Sequence, residues 1–159
     1  MVPADRARLE AMYADFEPRR AAQGLPPAPD RLSDWLDHII ATGQHIVATT
    51  ATGSIVGHVM LVPLEPGIVE LASFVHQSAR GHGLGSELAR AAVQLARDRD
   101  CRRVWLSVEP SNRAAVRSYA RAGFTRVPGS AWAPELEMAI DLTASPTASP
   151  PTATARLTK

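Results

Sequence analysis

Apolar residues recur at helical spacing in the first quarter of the chain and at strand spacing through its middle. Leu9, Met12, Tyr13 and Phe16 fall at i, i+3, i+4 and i+7, which predicts an amphipathic helix from residue 3 to about residue 20, with Asp5 near its start. Pro26, Pro27 and Pro29 exclude helix over residues 21–30 and predict a stiff, exposed connection. A second helix is expected over residues 31–41, with Ser33 as a candidate cap and Trp35, Leu36, Ile39 and Ile40 as its buried stripe. Gly43 ends it. Residues 45–50 and 54–62 are β-branched runs joined by Ala51-Thr52-Gly53, a hairpin signature. Residues 63–67 contain Pro66-Gly67, a second turn, and residues 68–75 make the third consecutive strand. The middle of the chain therefore reads as an antiparallel meander.

Beyond it, Leu84, Leu88, Ala91, Ala92 and Leu95 give one face of a helix running from about residue 86 to residue 99. Residues 102–108 are a short apolar strand. The intervening helix makes it a parallel neighbour of residues 68–75 through a right-handed crossover. Pro110 stops that strand, Ser111 or Asn112 caps the next helix, Val116 and Tyr119 share one of its faces, and Gly123 is a left-handed cap. Residues 124–127 and 136–142 form a last strand pair. In the second of them Leu136, Met138, Ile140 and Leu142 alternate with polar or small residues. Residues 143–159 are rich in Thr, Ala, Ser and Pro without periodicity and are expected to be a disordered tail. No internal repeat occurs.

Composition narrows this to one domain, residues 1–142, of mixed α/β class with a mostly antiparallel sheet flanked by helices. The chain has 159 residues and ordinary apolar content, enough to bury a real core. No stretch approaches the ~18 apolar residues of a membrane span, and no signal pattern opens the chain, so a soluble, cytoplasmic protein without a membrane partner is expected. The lone cysteine, Cys101, excludes an intramolecular disulfide and reads as a small core residue. A net charge of +1 argues against a nucleic-acid-binding surface. The five histidines (His38, His45, His58, His76, His82) lack metal-ligand spacing, so no metal site is expected.

Candidate chemistry is concentrated in Arg80-Gly81-His82-Gly83-Leu84-Gly85-Ser86, between a strand and a helix. Alternate glycines leave backbone N–H groups uncovered, and the following helix adds the positive end of its dipole: a site for phosphate oxygens, with Arg80 at its lip. A Walker A loop is excluded because no Gly-Lys-Ser/Thr is present. Gly81-x-Gly83-x-x-Ser86 approaches the dinucleotide fingerprint, with Glu109 ending the next strand. However, five residues (76–80) separate strand from glycine, and a meander rather than a parallel βαβ unit precedes it. The remaining pattern is Arg-x-x-Gly-x-Gly, met by Arg80, Gly83 and Gly85. Downstream lies "EPSNRAAVRSYARAGF", with Asn112 at a helix start, Tyr119 seven residues on, and Gly123-Phe124 at the helix end.

This pair of motifs in this order resembles the GNAT superfamily of acyl-CoA-dependent N-acyltransferases, over about residues 55–142. One departure is evident: the family begins with a strand before its first helix, and here the helix starts almost at the first residue. Either that edge strand is absent or the chain begins late; its absence would open a sheet edge to a second chain, which makes a homodimer one expected assembly. The resemblance implies acetyl-CoA as donor, its pyrophosphate on the backbone N–H groups of Arg80, Gly81, His82, Gly83, Leu84 and Gly85, with Ser86 in the same turn. It implies pairing of Phe74-Val75-His76-Gln77 with the pantetheine arm, and splay of that strand from residues 104–108 to admit the thioester. The Val75 N–H would face the thioester carbonyl.

Within that resemblance Tyr119 is the candidate acid for the departing thiolate, since a phenol is protonated at neutral pH. Glu70 is the candidate base, on the same strand as Val75 and ten residues before Arg80, with water chains as the alternative. His76 and His82 are further proton acceptors, and Asn112 positions the cofactor arm or caps its helix. The acceptor, a small-molecule or peptide amine, would meet residues 17–31 and 127–136, which include Arg19, Arg20, Arg31 and Trp132. No cysteine lies near the motif, so attack would be direct, in a ternary complex. The other readings are a non-catalytic acyl-CoA sensor and, more remotely, a dinucleotide-dependent oxidoreductase.

Overall fold

Alternation along the central strands sorts their side chains into two apolar clusters on opposite faces of one sheet. Val59, Leu61, Val69, Leu71, Val104 and Leu106 share one cluster, whereas Met60 and Phe74 belong to the other. The computed structural model describes residues 5–17, 26–128 and 135–142. In chain order the elements are α1 (Asp5–Ala14), a 3-10 turn (Pro29–Arg31), α2 (Leu32–Thr42), β1 (Gln44–Thr49), β2 (Ile55–Glu65), β3 (Ile68–Val75), a second 3-10 turn (Gln77–Ala79), α3 (Leu84–Asp98), β4 (Arg103–Val108), α4 (Arg113–Arg121), β5 (Thr125–Arg126) and β6 (Leu136–Asp141). The six strands lie in the order β1-β2-β3-β4-β6-β5. Every neighbouring pair is antiparallel except β3 and β4.

Helices α1 and α2 cover one face through Leu9, Met12, Tyr13, Leu36 and Ile39, joined by Phe16 just past α1, and α3 and α4 cover the other. The expected stripe Leu136, Met138, Ile140, Leu142 faces the α3/α4 cluster. Among the described residues no strand precedes α1, so the outer edge of β1 carries no neighbour there.

Several boundaries differ from the sequence expectation. Helix α1 ends at Ala14, because Phe16 N–H turns back to the Tyr13 carbonyl. Pro29 begins a 3-10 turn, the first-turn position where its missing N–H costs nothing. Ser33 does not cap α2, which starts from Arg31 without a side-chain cap; the Ser33 hydroxyl instead accepts from Arg6 (2.8 Å) and ties α1 to α2. Pro63 lies within β2, where the register shifts between Pro63 and Glu65 and its side is exposed. In α3, Ala91 is exposed, and the buried face is Leu88, Ala89, Ala92, Val93 and Ala96. Cys101 is half-buried at the rim of the core. The tail expected over residues 143–159 lies outside the described residues.

Helix α3 lies close on the sheet at Gly57. A Cβ there would stand 2.8 Å from Leu88 Cδ1 and 3.2 Å from Leu84 Cδ2. Gly57→Ala should overpack this contact and destabilise the fold by about 1–3 kcal/mol, read as a lowered Tm. An unchanged Tm would show that α3 can retreat freely.

A polar chain crosses the α1/α2 side of the core. Tyr13 Oη lies 2.6 Å from His58 Nδ1, His58 Nε2 lies 2.9 Å from His45 Nδ1, and His45 Nε2 lies 3.0 Å from the Ile39 carbonyl. A carbonyl only accepts, so His45 carries its proton on Nε2. Neutral His45 then accepts from His58 Nε2–H, and His58 Nδ1 accepts from the Tyr13 hydroxyl. His58 is fully buried, and its pKa is lowered to about 3, by burial first and then by the facing His45. These side chains are spent on holding α1 and α2 to β1 and β2.

Candidate active site

The parallel ladder between β3 and β4 is short. It pairs Ile68–Glu70 with Arg103–Trp105 and then stops. Strand β3 continues to Val75 against β2, and β4 continues to Val108 against β6, with no pairing between them. The two strands therefore part beyond Glu70 and Trp105. Their carboxyl ends lead to the N-termini of α3 and α4, the place where open α/β sheets present a crevice.

The backbone of β3 faces into that opening. His76 N–H donates to the Val56 carbonyl (3.0 Å), and β2–β3 pairing is antiparallel. By two-residue alternation Phe74 and His76 turn their backbone groups to β2, so Ser73 and Val75 turn theirs to the side where β4 has departed. The Val75 N–H thus stands at an open sheet edge, as an extended ligand paired to β3 requires.

At the mouth, Gly81 (φ +84°) and Gly83 (φ +87°) adopt left-handed backbone, and Gly83 is the N-cap of α3. A Cβ at either would meet nothing within 4 Å, so these glycines serve conformation and access rather than packing. The first N–H groups of α3, from Leu84 and Gly85, have no acceptor within the helix and point out of its positive end. Gly85 itself fits closely against α4: a Cβ there would lie 3.2 Å from Ser118 Oγ. Ser86 is 3 % exposed, and its hydroxyl has no partner among the described residues. The loop thus offers bare backbone donors in open space with a buried, unsatisfied hydroxyl one step behind, a set that suits phosphate oxygens. His82 is exposed in the same loop.

The ends of β3 and α4 hold the other expected residues. Asn112 caps α4 by accepting from Ala115 N–H (3.1 Å). Tyr119, one residue from the Gly85 contact, is buried, packs against Phe124 (5.9 Å between rings), and has its pKa raised to about 12 by burial. Its hydroxyl makes no hydrogen bond among the described residues. Phe74 is buried among Tyr13, Phe16, Trp35 and His58 and packs the core with its ring.

Glu70 and Trp105 are register partners at the apex of the opening. Their neighbours Val69, Leu71, Val104 and Leu106 face α3, so both side chains face the α1/α2 side. Burial and then the nearby Glu135 raise the Glu70 pKa above the usual carboxylate value. Glu70 and Val75 are five positions apart, about 16 Å along a strand, so the two cannot share one bound atom.

Two outcomes differ from the pattern in sequence. Arg80 adjoins the loop, but its guanidinium is engaged on the protein itself. Its Nε–H donates to the Val75 carbonyl (2.9 Å), an Nη donates to the Glu17 carbonyl, and the guanidinium lies 5.1 Å above the Phe16 ring. His76 and Gln77 likewise use their side chains on the end of α1: His76 Nε2 lies 3.3 Å from the Asp15 carboxylate, and Gln77 bonds the Asp15 carbonyl and Glu17 N–H. Sequence reasoning also missed Trp105, whose Nε1–H reaches Glu137 (3.4 Å), and Ser107, whose hydroxyl is shut from solvent without a partner. Only β4–β6 register, not sequence spacing, identifies them. Arg31 is exposed in the first 3-10 turn, and Arg19, Arg20 and Trp132 lie outside the described residues.

Comparison with known proteins agrees with this geometry. The model of the acetyltransferase (GNAT) family matches residues 9–124. An uncharacterised N-acetyltransferase of Mycobacterium bovis is 29% identical over 112 residues, covering 62% of this chain and 72% of the relative. Among solved structures, the GNAT domain of S. lividans PAT superposes with a TM-score of 0.75 at 21% identity, covering 89% of this chain and 88% of that one. A phosphinothricin acetyltransferase from Sinorhizobium meliloti, solved with AcCoA, gives 0.72 at 17% identity, with 97% and 94% covered. No helix among the described residues is long and apolar enough to cross a membrane. The split parallel pair and the glycine-opened helix at its mouth both lie within the matched residues 9–124: the chain belongs to the GNAT acetyltransferase family.

Proposed function

We propose that this chain moves an acetyl group from acetyl-CoA to a primary amine by direct attack within a ternary complex. The observation that carries the reading is the parting of β3 from β4 beyond Glu70, which opens an unpaired β3 edge leading straight to the glycine loop. The N–H groups of the loop and of Leu84 and Gly85 would hold the pyrophosphate, and the edge of β3 at Val75 would hold the pantetheine arm. Bound there, acetyl-CoA supplies an acyl group activated as a thioester.

The rest falls to the chain's own groups. Val75 N–H donates to the thioester oxygen as negative charge grows on it, and one such donor is worth about 3 kcal/mol. The Tyr119 hydroxyl donates a proton to the departing sulfur. Glu70, about five residues back along the strand, takes the proton of the amine by way of water rather than directly. Its placement with Trp105 on the α1/α2 face supports reading that face as the acceptor side.

Two measurements test this. CoA-thiol release from acetyl-CoA with a panel of small-molecule and peptide amines should show turnover. Tight CoA binding with no turnover would leave the sensor reading, and NAD binding tighter than CoA would overturn both. Glu70→Gln should lower kcat/KM about tenfold and flatten the acid limb of the pH profile. Because the carboxyl titrates above its usual value, that limb in the wild type should lie above pH 4.5, activity rising as the base form appears. An identical limb in the variant would remove Glu70 from the base role.

A further inference from the structure

We infer that Arg80 is a positioning residue for the donor site, acting through the Val75 carbonyl and the end of α1, and is not a ligand of the cofactor phosphates. The inference rests on the acetyl-CoA reading above and deepens it. A guanidinium has a fixed fork of donors, and here two of those donors and its flat face are engaged by the protein itself. Nε–H goes to the Val75 carbonyl at 2.9 Å, an Nη goes to the Glu17 carbonyl, and the flat face rests on Phe16 at 5.1 Å.

These contacts close a ring. Strand β3 ends at Val75; the chain turns through Gln77–Ala79; Arg80 reaches back across the turn to the residue where the strand ended. The same turn grips α1 at two further points, through Gln77 to the backbone of Asp15 and Glu17 and through His76 to the Asp15 carboxylate. Arg80 therefore holds the last peptide of β3 on the open side while His76 N–H holds it on the β2 side at 3.0 Å. The Val75 residue between them is fixed from both directions. The Val75 carbonyl, which would otherwise compete for a donor on an incoming ligand, is already occupied, leaving the Val75 N–H as the free group at that edge.

A phosphate ligand and a positioning fork respond differently to two changes. Lysine keeps the charge but cannot bond two carbonyls in one plane, and S-acetylpantetheine keeps the thioester but lacks the pyrophosphate. Arg80→Lys and Arg80→Met should both lower kcat/KM about tenfold, by the same factor with acetyl-CoA and with S-acetylpantetheine. Loss confined to acetyl-CoA, with Arg80→Lys restoring activity, would overturn the inference and make Arg80 a phosphate ligand. A readout independent of turnover is amide exchange at His76, whose N–H sits inside the clamp. Both variants should speed it about tenfold relative to amides of β6. Unchanged exchange at His76 would sink the clamp even if acetyl transfer is observed, and faster exchange would support it even if no acetyl transfer is found.

Discussion

Tyr119→Phe is expected to lower turnover with acetyl-CoA at least tenfold while leaving cofactor affinity and Tm nearly unchanged. General acids contribute about 10²–10⁴-fold, so tenfold is a lower bound for the loss of one. The structure makes this substitution unusually clean. The ring packs against Phe124 within the α3/α4 core, and phenylalanine keeps that contact. The hydroxyl has no hydrogen-bond partner among the described residues, so its removal strands no neighbour and should change stability by less than about 1 kcal/mol. Burial raises the phenol pKa to about 12, so the hydroxyl keeps its proton throughout the working range. An alkaline limb at mild pH in the wild type must therefore arise elsewhere and should persist in the variant. Steady-state kinetics with CoA-thiol detection, alongside a CoA titration, checks all of this. Turnover equal to wild type would remove Tyr119 from the acid role.

The second large effect concerns stability in acid. In the folded chain His58 has its pKa lowered to about 3, against the ordinary histidine value of 6.5. A lowered folded pKa means that the unfolded chain binds the proton first as pH falls. The stability tied to neutral His58 is thus complete above about pH 6.5 and is lost progressively below it, down to about pH 3. The slope is about 1.4 kcal/mol per pH unit, so His58 alone contributes a loss of roughly 3 kcal/mol by pH 4.5. His45, also lowered by burial, adds in the same direction. Against a typical total of about 5–15 kcal/mol this is a large share. The urea midpoint should fall steeply between pH 7 and pH 4.5, and His58→Gln should start lower at neutral pH but show a flatter dependence. A wild-type midpoint independent of pH over that range would falsify the buried-neutral assignment.

The physical cause of that effect was invisible along the chain. His45 and His58 lie thirteen residues apart with no motif between them, and Tyr13 is a further forty-five residues from His58. Only the antiparallel register of β1 on β2, with α1 laid across it, brings the three rings into one chain of hydrogen bonds.

The same division holds for the site. Local chemistry is legible where it depends on neighbours in sequence. Glycines at positive φ opening α3, Asn112 capping α4, the bounds of β3, and the two-residue alternation in β6 all follow from contacts within a few positions. Parallel pairing of β3 with β4 was legible too, because a helix between two strands allows little else.

What a side chain faces is a different matter. Arg80 reads as a phosphate residue from its place beside Gly81 and Gly83, yet its guanidinium is taken by Glu17 and Phe16, more than sixty residues earlier in the chain. Trp105, Glu137 and Ser107 meet on the face that carries Glu70 only because β6 returns to β4 in one particular register. From the sequence came the family motifs, the elements and the backbone cradle, each set by short-range sterics and periodicity. Tertiary packing alone decided which long side chains reach that cradle, because a flexible side chain settles on the partners the fold brings near it.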